Sequence, residues 1–180
     1  MKLHIGCGEK YLPGYKHIDI IKREHIDYVT DARDLYNIVN EGGHCVEEIY
    51  ACHVLEHFGR GEIDYVLYEW ARVLKKGGVL RVAVPDFSAI AAEYARNGNL
   101  DAVLGLLYGG QNYEYNFHYQ TYDLNRLKGL LEKAGFIDIK KYDWQSFLPP
   151  EYDDFSRAYL PHMDFESGRL MSLNVIAIKG

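Results

Sequence analysis

The chain has 180 residues and a mass of 20.8 kDa, with 26 acids against 20 bases and a formal net charge of −6. That length suits one well-packed domain spanning 1–180, and the acidic balance with no Lys/Arg-dominated window argues against a nucleic-acid partner. There is no apolar run near the ~18 residues of a membrane span and no basic leader, so a soluble, cytoplasmic protein is expected. Cys7, Cys45 and Cys52 are odd in number and lack CxxC spacing, which points to reduced thiols, with neither disulfides nor a cysteine zinc site.

Taken in chain order, strand-like and helix-like segments alternate, the pattern of an α/β fold with a mainly parallel sheet. Residues 2 to 6 read as a first strand stopping at Gly6-Cys7-Gly8, 17 to 20 as a second closing near Asp19, and 26 to 30 as a third ending at Asp31. Asp34-Leu35-Tyr36 opens a short helical stretch that runs out at Gly42-Gly43. A buried fourth strand is expected over 48 to 52. Apolar residues at helical spacing (Ile63, Val66, Leu67, Trp70, Val73, Leu74) predict a helix from Glu62 to Lys76, stopped by Gly77-Gly78.

A fifth strand over 79 to 84 is broken by Pro85, with Asp86 at its tip. Ser88 is then the expected N-cap of a helix to Arg96, followed by one from Leu100 to Leu107. The segment 108–122 holds five of the sixteen tyrosines and shows neither period, so it reads as a loop. Asp123 caps a helix to Ala134, 136 to 144 and 173 to 179 read as the last strands, and a long loop separates them.

Two features concern ligands. A strand that ends in Gly-x-Gly lets the backbone turn sharply and lets a ligand come closer than a Cβ permits. An acid one strand later, Asp19, can accept hydrogen bonds from ribose hydroxyls, so the pair suggests a nucleoside held across the top of the sheet. No third glycine follows Gly8 at dinucleotide spacing, which disfavours a nicotinamide-dependent dehydrogenase.

The order Gly6-Cys7-Gly8, Pro13-Gly14-Tyr15, Asp19, Leu55-Glu56-His57, Leu74-Lys75-Lys76-Gly77-Gly78 and Ala134-Gly135-Phe136 resembles class I S-adenosylmethionine-dependent methyltransferases, in particular a small minimal branch of them. The resemblance spans essentially the whole chain. It implies a Rossmann-like class I methyltransferase fold with a seven-stranded, mostly parallel sheet whose last strand is antiparallel. It also implies S-adenosylmethionine as cofactor: Gly6, Cys7 and Gly8 beside its methionine part, Asp19 at the ribose, and Asp31, Ala32 and Arg33 near the adenine. Cys52, His53 and Leu55 would line the floor.

Two departures from that pattern stand out. Only residues 7 to 16 separate the first two strands, too few for the usual crossover helix. No helices precede the first strand to close over a substrate, so cover is expected from 108–122, from 145–172, or from a second chain.

The implied reaction is methyl transfer to a small-molecule or saccharide-like acceptor, the alternative being a methyltransferase-like binding or scaffold protein without turnover. His118 and Asp86 are the catalytic candidates, since an imidazole titrating near neutrality suits removal of an acceptor proton. A structural histidine and a solvated turn acid are the plain readings of the same residues. Asp31 reads equally as a helix-capping acid. Tyr108, Tyr113, Tyr115, Tyr119 and Tyr122 suit a ligand wall or a homodimer interface alike. His53, Glu56 and His57 spell H-x-x-E-H, but at a strand end rather than on a helix, so no metal is expected.

Overall fold

The computed structural model describes residues 1–39 and 45–180. Its strands are β1 (Lys2–Ile5), β2 (Lys16–Asp19), β3 (Tyr28–Val29), β4 (Val46–Cys52), β5 (Leu74–Pro85), β6 (Phe136–Lys141), β7 (Tyr159–Leu160), β8 (Arg169–Leu170) and β9 (Ser172–Lys179). The α-helices are α1 (Ile63–Val73), α2 (Phe87–Asn97), α3 (Asp101–Tyr108) and α4 (Leu124–Lys133). Seven strands form one sheet in the order β3-β2-β1-β4-β5-β9-β6, with β9 antiparallel to both neighbours and the β1–β5 pairings parallel. This is the fold class that the resemblance implies. Among the described residues no helix is long and apolar enough to cross a membrane.

The chain leaves β1 toward β2 and β3 on one side and returns to β4 on the other, so the strand order reverses between β1 and β4. Crevices at such a reversal, beyond the carboxyl ends of the strands, are where open α/β sheets hold ligands. One face of the sheet presents Leu3, Ile5, Ile18, Ile49, Ala51, Leu80 and Val82 to Trp70 and Leu67 of α1 and to Leu127 and Leu131 of α4, all buried. Fully burying each such aliphatic side chain stabilises the fold by roughly 1.5–3 kcal/mol.

The opposite face is built differently. Residues 6 to 15 join the parallel strands β1 and β2 without a helix, as the short spacing predicts. In its place Leu12 and Tyr15 pack with Tyr50, Trp144, Leu148 and Tyr152 in a second, largely aromatic core. His4 lies beneath it, its ring 5.2 Å from that of Tyr50 and 5.5 Å from that of His17.

Several boundaries differ from expectation. Helix α1 stops at Val73 rather than Lys76, because Leu74 turns extended, is fully buried and pairs with Val46 at the start of β5. The cap of α2 is Asp86, whose carboxylate accepts the Ser88 N–H, since β5 runs into the helix without an intervening loop. Residues 34–39 form turns rather than a helix, their register held by Glu69 of α1 accepting the Leu35 N–H at 2.9 Å. The expected end of that helix at Gly42-Gly43 lies outside the described residues. Strand β3 is only two residues long, and β6 ends at Lys141, Trp144 lying instead in a short 3-10 turn within the second core. The loop 145–172 contains a small hairpin, β7–β8, whose two-residue strands are too short to show a period in sequence.

Burial, with His17 and His25 nearby, pushes the His4 imidazole down to about 3, so it is neutral in the folded protein. Unfolding exposes an imidazole of ordinary pKa that takes up a proton, so the stability gained by keeping His4 neutral is complete above pH ~6.5 and is lost as the pH falls toward 3. Between pH 7 and pH 5 the loss is expected to reach roughly 2 kcal/mol. Urea unfolding at both pH values should show it, and His4→Phe should shrink the difference; an equal difference in the variant would assign the loss to other groups.

Candidate functional site

A cleft of about 1060 Å³ opens over the carboxyl ends of β1, β2 and β4, at the reversal of strand order. Its floor begins at the turn after β1. Gly6 and Gly8 both adopt left-handed backbone, with φ of +62° and +56°. The turn is closed by the Gly6 N–H donating to the Ile18 carbonyl at 2.8 Å. A Cβ on Gly6 would lie 2.5 Å from Cγ2 of Val54, whereas one on Gly8 would meet nothing within 4 Å. Gly6 is therefore required by packing against the β4 end, and Gly8 by backbone conformation alone.

Asp19, at the end of β2, fastens this turn. Its Oδ2 accepts the Gly8 N–H at 2.8 Å, and its Oδ1 accepts the Ile21 N–H at 2.8 Å and Arg23 Nη1 at 3.3 Å. A carboxylate has about four acceptor positions, so Oδ2 keeps one free for a ligand hydroxyl. Cys7 is buried, and burial beside the Asp19 carboxylate pushes its thiol up to about 12, leaving it a protonated, unreactive wall.

The far edge is an ion pair. Arg33 binds Asp31 through Nε and Nη2 at 2.9 and 2.6 Å, and also Glu62, with its guanidinium 5.8 Å above the Phe58 ring. Burial opposes ionisation of Asp31, but the Arg33 hydrogen bonds and charge outweigh it and hold the carboxyl below its usual range. Ala32 is fixed by its carbonyl accepting the Trp70 indole N–H at 2.9 Å.

At the β4 end the chain passes through Cys52 and a left-handed His53, φ +55°, into the 3-10 turn Leu55–His57. His53 Nε2 lies 3.2 Å from Ser172 Oγ and Nδ1 lies 3.2 Å from Glu56 Oε1. Two covers face each other across the opening. One is the tyrosine loop with the end of α3, contributing Gly105, Leu106, Tyr113, Tyr115, His118 and Tyr119; the other is 153–163, contributing Asp154, Phe155, Arg157 and His162.

Gly6, Cys7, Gly8, Asp19, Asp31, Ala32, Arg33, Cys52, His53 and His118 all line this one cleft. Leu55 does not: it is fully buried in the main core. Asp86 stands apart too, because as the α2 cap its carboxylate accepts the Ser88 N–H and lies 3.5 Å from Lys141 Nζ, outside the cleft lining. The tyrosine cluster is split. Tyr122 is buried, its hydroxyl donating to the Leu55 carbonyl, and Tyr108 is exposed and does not line the cleft. Phe58, Phe155 and Lys10 line the cleft without any local motif to signal it, since their positions depend on chain crossings far apart in sequence.

No protein-family model and no curated protein matches the chain. Solved structures share its fold. A SAM-dependent methyltransferase from Archaeoglobus fulgidus superposes with a TM-score of 0.58 at 15% identity, over 99% of this chain and 85% of its own. The 1,6-didemethyltoxoflavin-N1-methyltransferase of Burkholderia thailandensis, solved with 1,6-didemethyltoxoflavin and S-adenosylhomocysteine, gives 0.58 at 15% identity over 99% and 70%. Human N-acetylserotonin methyltransferase with SAM gives 0.50 at 16% identity over 93% and 41%. At these identities the likeness establishes the fold.

The two glycines separate by substitution. Gly8→Ala should cost about 1–2 kcal/mol, the penalty of left-handed backbone. Gly6→Ala adds the forced displacement of Val54, about 1–3 kcal/mol more. Urea midpoints read the order, and equal losses would mean that Val54 does not restrain the turn.

Proposed function

We propose that the chain transfers methyl groups from S-adenosylmethionine to a small-molecule acceptor, with a saccharide-like, hydroxyl-bearing acceptor as the favoured class. The observation that carries this reading is the Gly6–Gly8 turn fastened by Asp19 at the strand-order reversal, in one cleft with Asp31, His53 and His118. The residues present suit the cofactor: a left-handed glycine turn whose backbone faces the cleft with open space at Gly8, a carboxylate with a free acceptor position, and a cleft of a volume that holds a nucleoside and an acceptor together. The structural neighbours that carry SAM or S-adenosylhomocysteine share this sheet and support the same assignment.

S-adenosylmethionine supplies a methyl group on a sulfonium, which needs an in-line nucleophile and little else. The protein's residues provide holding and orientation. The backbone of Gly6–Gly8 flanks the methionine portion, Asp19 accepts the ribose hydroxyls, and the Asp31–Arg33 pair with Phe58 borders the adenine. Because no helix N-terminus faces the cleft after β1, a carboxylate there needs another positive partner, and Lys10 lines that side. On the acceptor side His118 donates its Nδ1–H to the Leu106 carbonyl at 3.0 Å, which leaves Nε2 with a free lone pair. Burial holds this imidazole below its ordinary pKa, so the lone pair is available at neutral pH. Tyr113, Tyr115 and Tyr119 offer ring faces for stacking on a sugar.

Calorimetric titration with S-adenosylmethionine and S-adenosylhomocysteine, with NAD as control, tests the reading. Saturable binding of the first two alone is expected, and binding of none would overturn it. Asp19→Ala should weaken S-adenosylhomocysteine by about 1–3 kcal/mol, while His118→Ala should leave that affinity unchanged and lower turnover. Equal binding losses in the two variants would remove His118 from the acceptor side.

A further inference from the structure

The tyrosine loop is stapled to the 3-10 turn after β4 by four hydrogen bonds. Tyr119 N–H donates to the Glu56 carbonyl at 2.8 Å, Gln120 Nε2 to the Phe58 carbonyl at 3.0 Å, and Tyr122 hydroxyl to the Leu55 carbonyl at 3.2 Å. His57 Nδ1 donates to the Phe117 carbonyl at 3.0 Å. These bonds bring His118 against a turn that precedes it by sixty residues, with the His57 and His118 rings 4.9 Å apart and roughly perpendicular.

Three donor atoms converge there: a carboxylate oxygen of Glu56 and one ring nitrogen each of His57 and His118, all within 4.8 Å of one another. Glu56 is fully buried, and neither of its oxygens has a partner of hydrogen-bonding geometry, although His53 Nδ1 lies 3.2 Å from Oε1. A buried carboxylate so poorly compensated is costly unless a cation or donor meets it. Both imidazoles have Nδ1 occupied by a backbone carbonyl, which fixes the tautomer and leaves Nε2 as the lone pair. A carbonyl behind a ligating histidine is the usual support of a metal site. His57 and His118 line the cleft, whereas Glu56 closes it from behind, so coordination positions remain open toward the cavity.

We propose that Glu56, His57 and His118 bind a divalent first-row transition cation, of the zinc, iron or manganese type, at the acceptor end of the cleft. Two imidazoles and one carboxylate with open positions are a donor set these ions accept, and magnesium, which prefers all-oxygen surroundings, does not. Donors at ~2.1 Å in a tetrahedral site stand ~3.4 Å apart, so the widest pair closes by up to ~1.4 Å when an ion binds, a movement within the reach of side-chain rotation. The H-x-x-E-H spelling pointed away from a metal because its residues do not share a helix face. The third donor is instead His118, supplied by a loop.

Resting on the methyl-transfer reading above, the site narrows the acceptor to one presenting a hydroxyl. That oxygen completes the coordination and is polarised there, with its proton released to water. In this arrangement the His118 lone pair holds the cation, and proton loss needs no separate base.

The test uses the full chain stripped with a chelator and titrated with zinc chloride by calorimetry, with magnesium chloride in parallel and S-adenosylhomocysteine in a separate titration. One zinc per chain and no magnesium binding are expected. His57→Ala, His118→Ala and Glu56→Gln should each weaken zinc by at least about tenfold, the loss typical even for supporting residues of metal sites. The partly exposed His57 and His118 variants should do so while still unfolding in one cooperative transition, each losing only its single backbone hydrogen bond, which covers the case of a misfolded Glu56 variant. No zinc binding, or binding that survives both histidine variants, overturns the site. Zinc binding without S-adenosylhomocysteine binding retains the cation site and removes the methyl-transfer reading; the converse removes the cation site alone.

Discussion

The architecture turns on one close approach, that of Gly6 to Val54. The backbone leaving β1 must bend under the end of β4, and there is no room between them for a Cβ. That bend sets the direction of the 6–15 segment, brings the Gly8 N–H to Asp19, and places the β2 end beside the cleft. Asp19 braces the turn through three donors while lining the cavity. A carboxylate serves here where an amide would not, because it accepts on both oxygens without having to donate on either.

Shortening the β1–β2 crossover to a helix-free loop has consequences across the molecule. A parallel sheet needs both faces covered, and the missing helix leaves the β1, β2 and β4 face bare. The chain repairs this from its other end: Trp144, Leu148 and Tyr152 fold back over Tyr50 and His4. The phenol of Tyr50 donates to Asp154, and Asn174 of β9 donates to the Ser156 carbonyl at 2.8 Å, so the excursion is tied to two strands of the sheet. The same excursion continues into the cleft wall at Phe155, whose ring lies 5.4 Å from that of His53. Covering the sheet and enclosing the ligand space are thus done by one segment.

The electrostatics of the cleft are divided by position. At one edge, Asp31, Arg33 and Glu62 neutralise one another in a partly exposed network. At the opposite end, Glu56 is sealed among His53, His57 and His118. Burial disfavours its charge most strongly, yet the surrounding imidazoles keep the carboxyl below its ordinary range. A buried carboxylate ringed by imidazoles attracts positive charge, whether a proton on a ring or a cation between them, and that property distinguishes this end of the cavity from the rest.

The sequence by itself determined the α/β class and the residues of the first turn, and its resemblance implied the seven-stranded sheet with an antiparallel last strand, whereas the order of the strands came from the structure. Glycine spacing and strand-end acids are local, and their geometry follows from the backbone of a few consecutive residues. Helix ends were less legible: Lys75 and Lys76 carry helical propensity, but Leu74 is taken by pairing with Val46, a contact that only the assembled sheet creates. Only the tertiary structure decided that Asp86 is a cap outside the cleft, that Leu55 belongs to the core, and that Tyr122 is separated from the other tyrosines. It alone placed His118 beside Glu56 and His57, because their meeting depends on hydrogen bonds between segments sixty residues apart, and no local pattern records which loop a strand end will face.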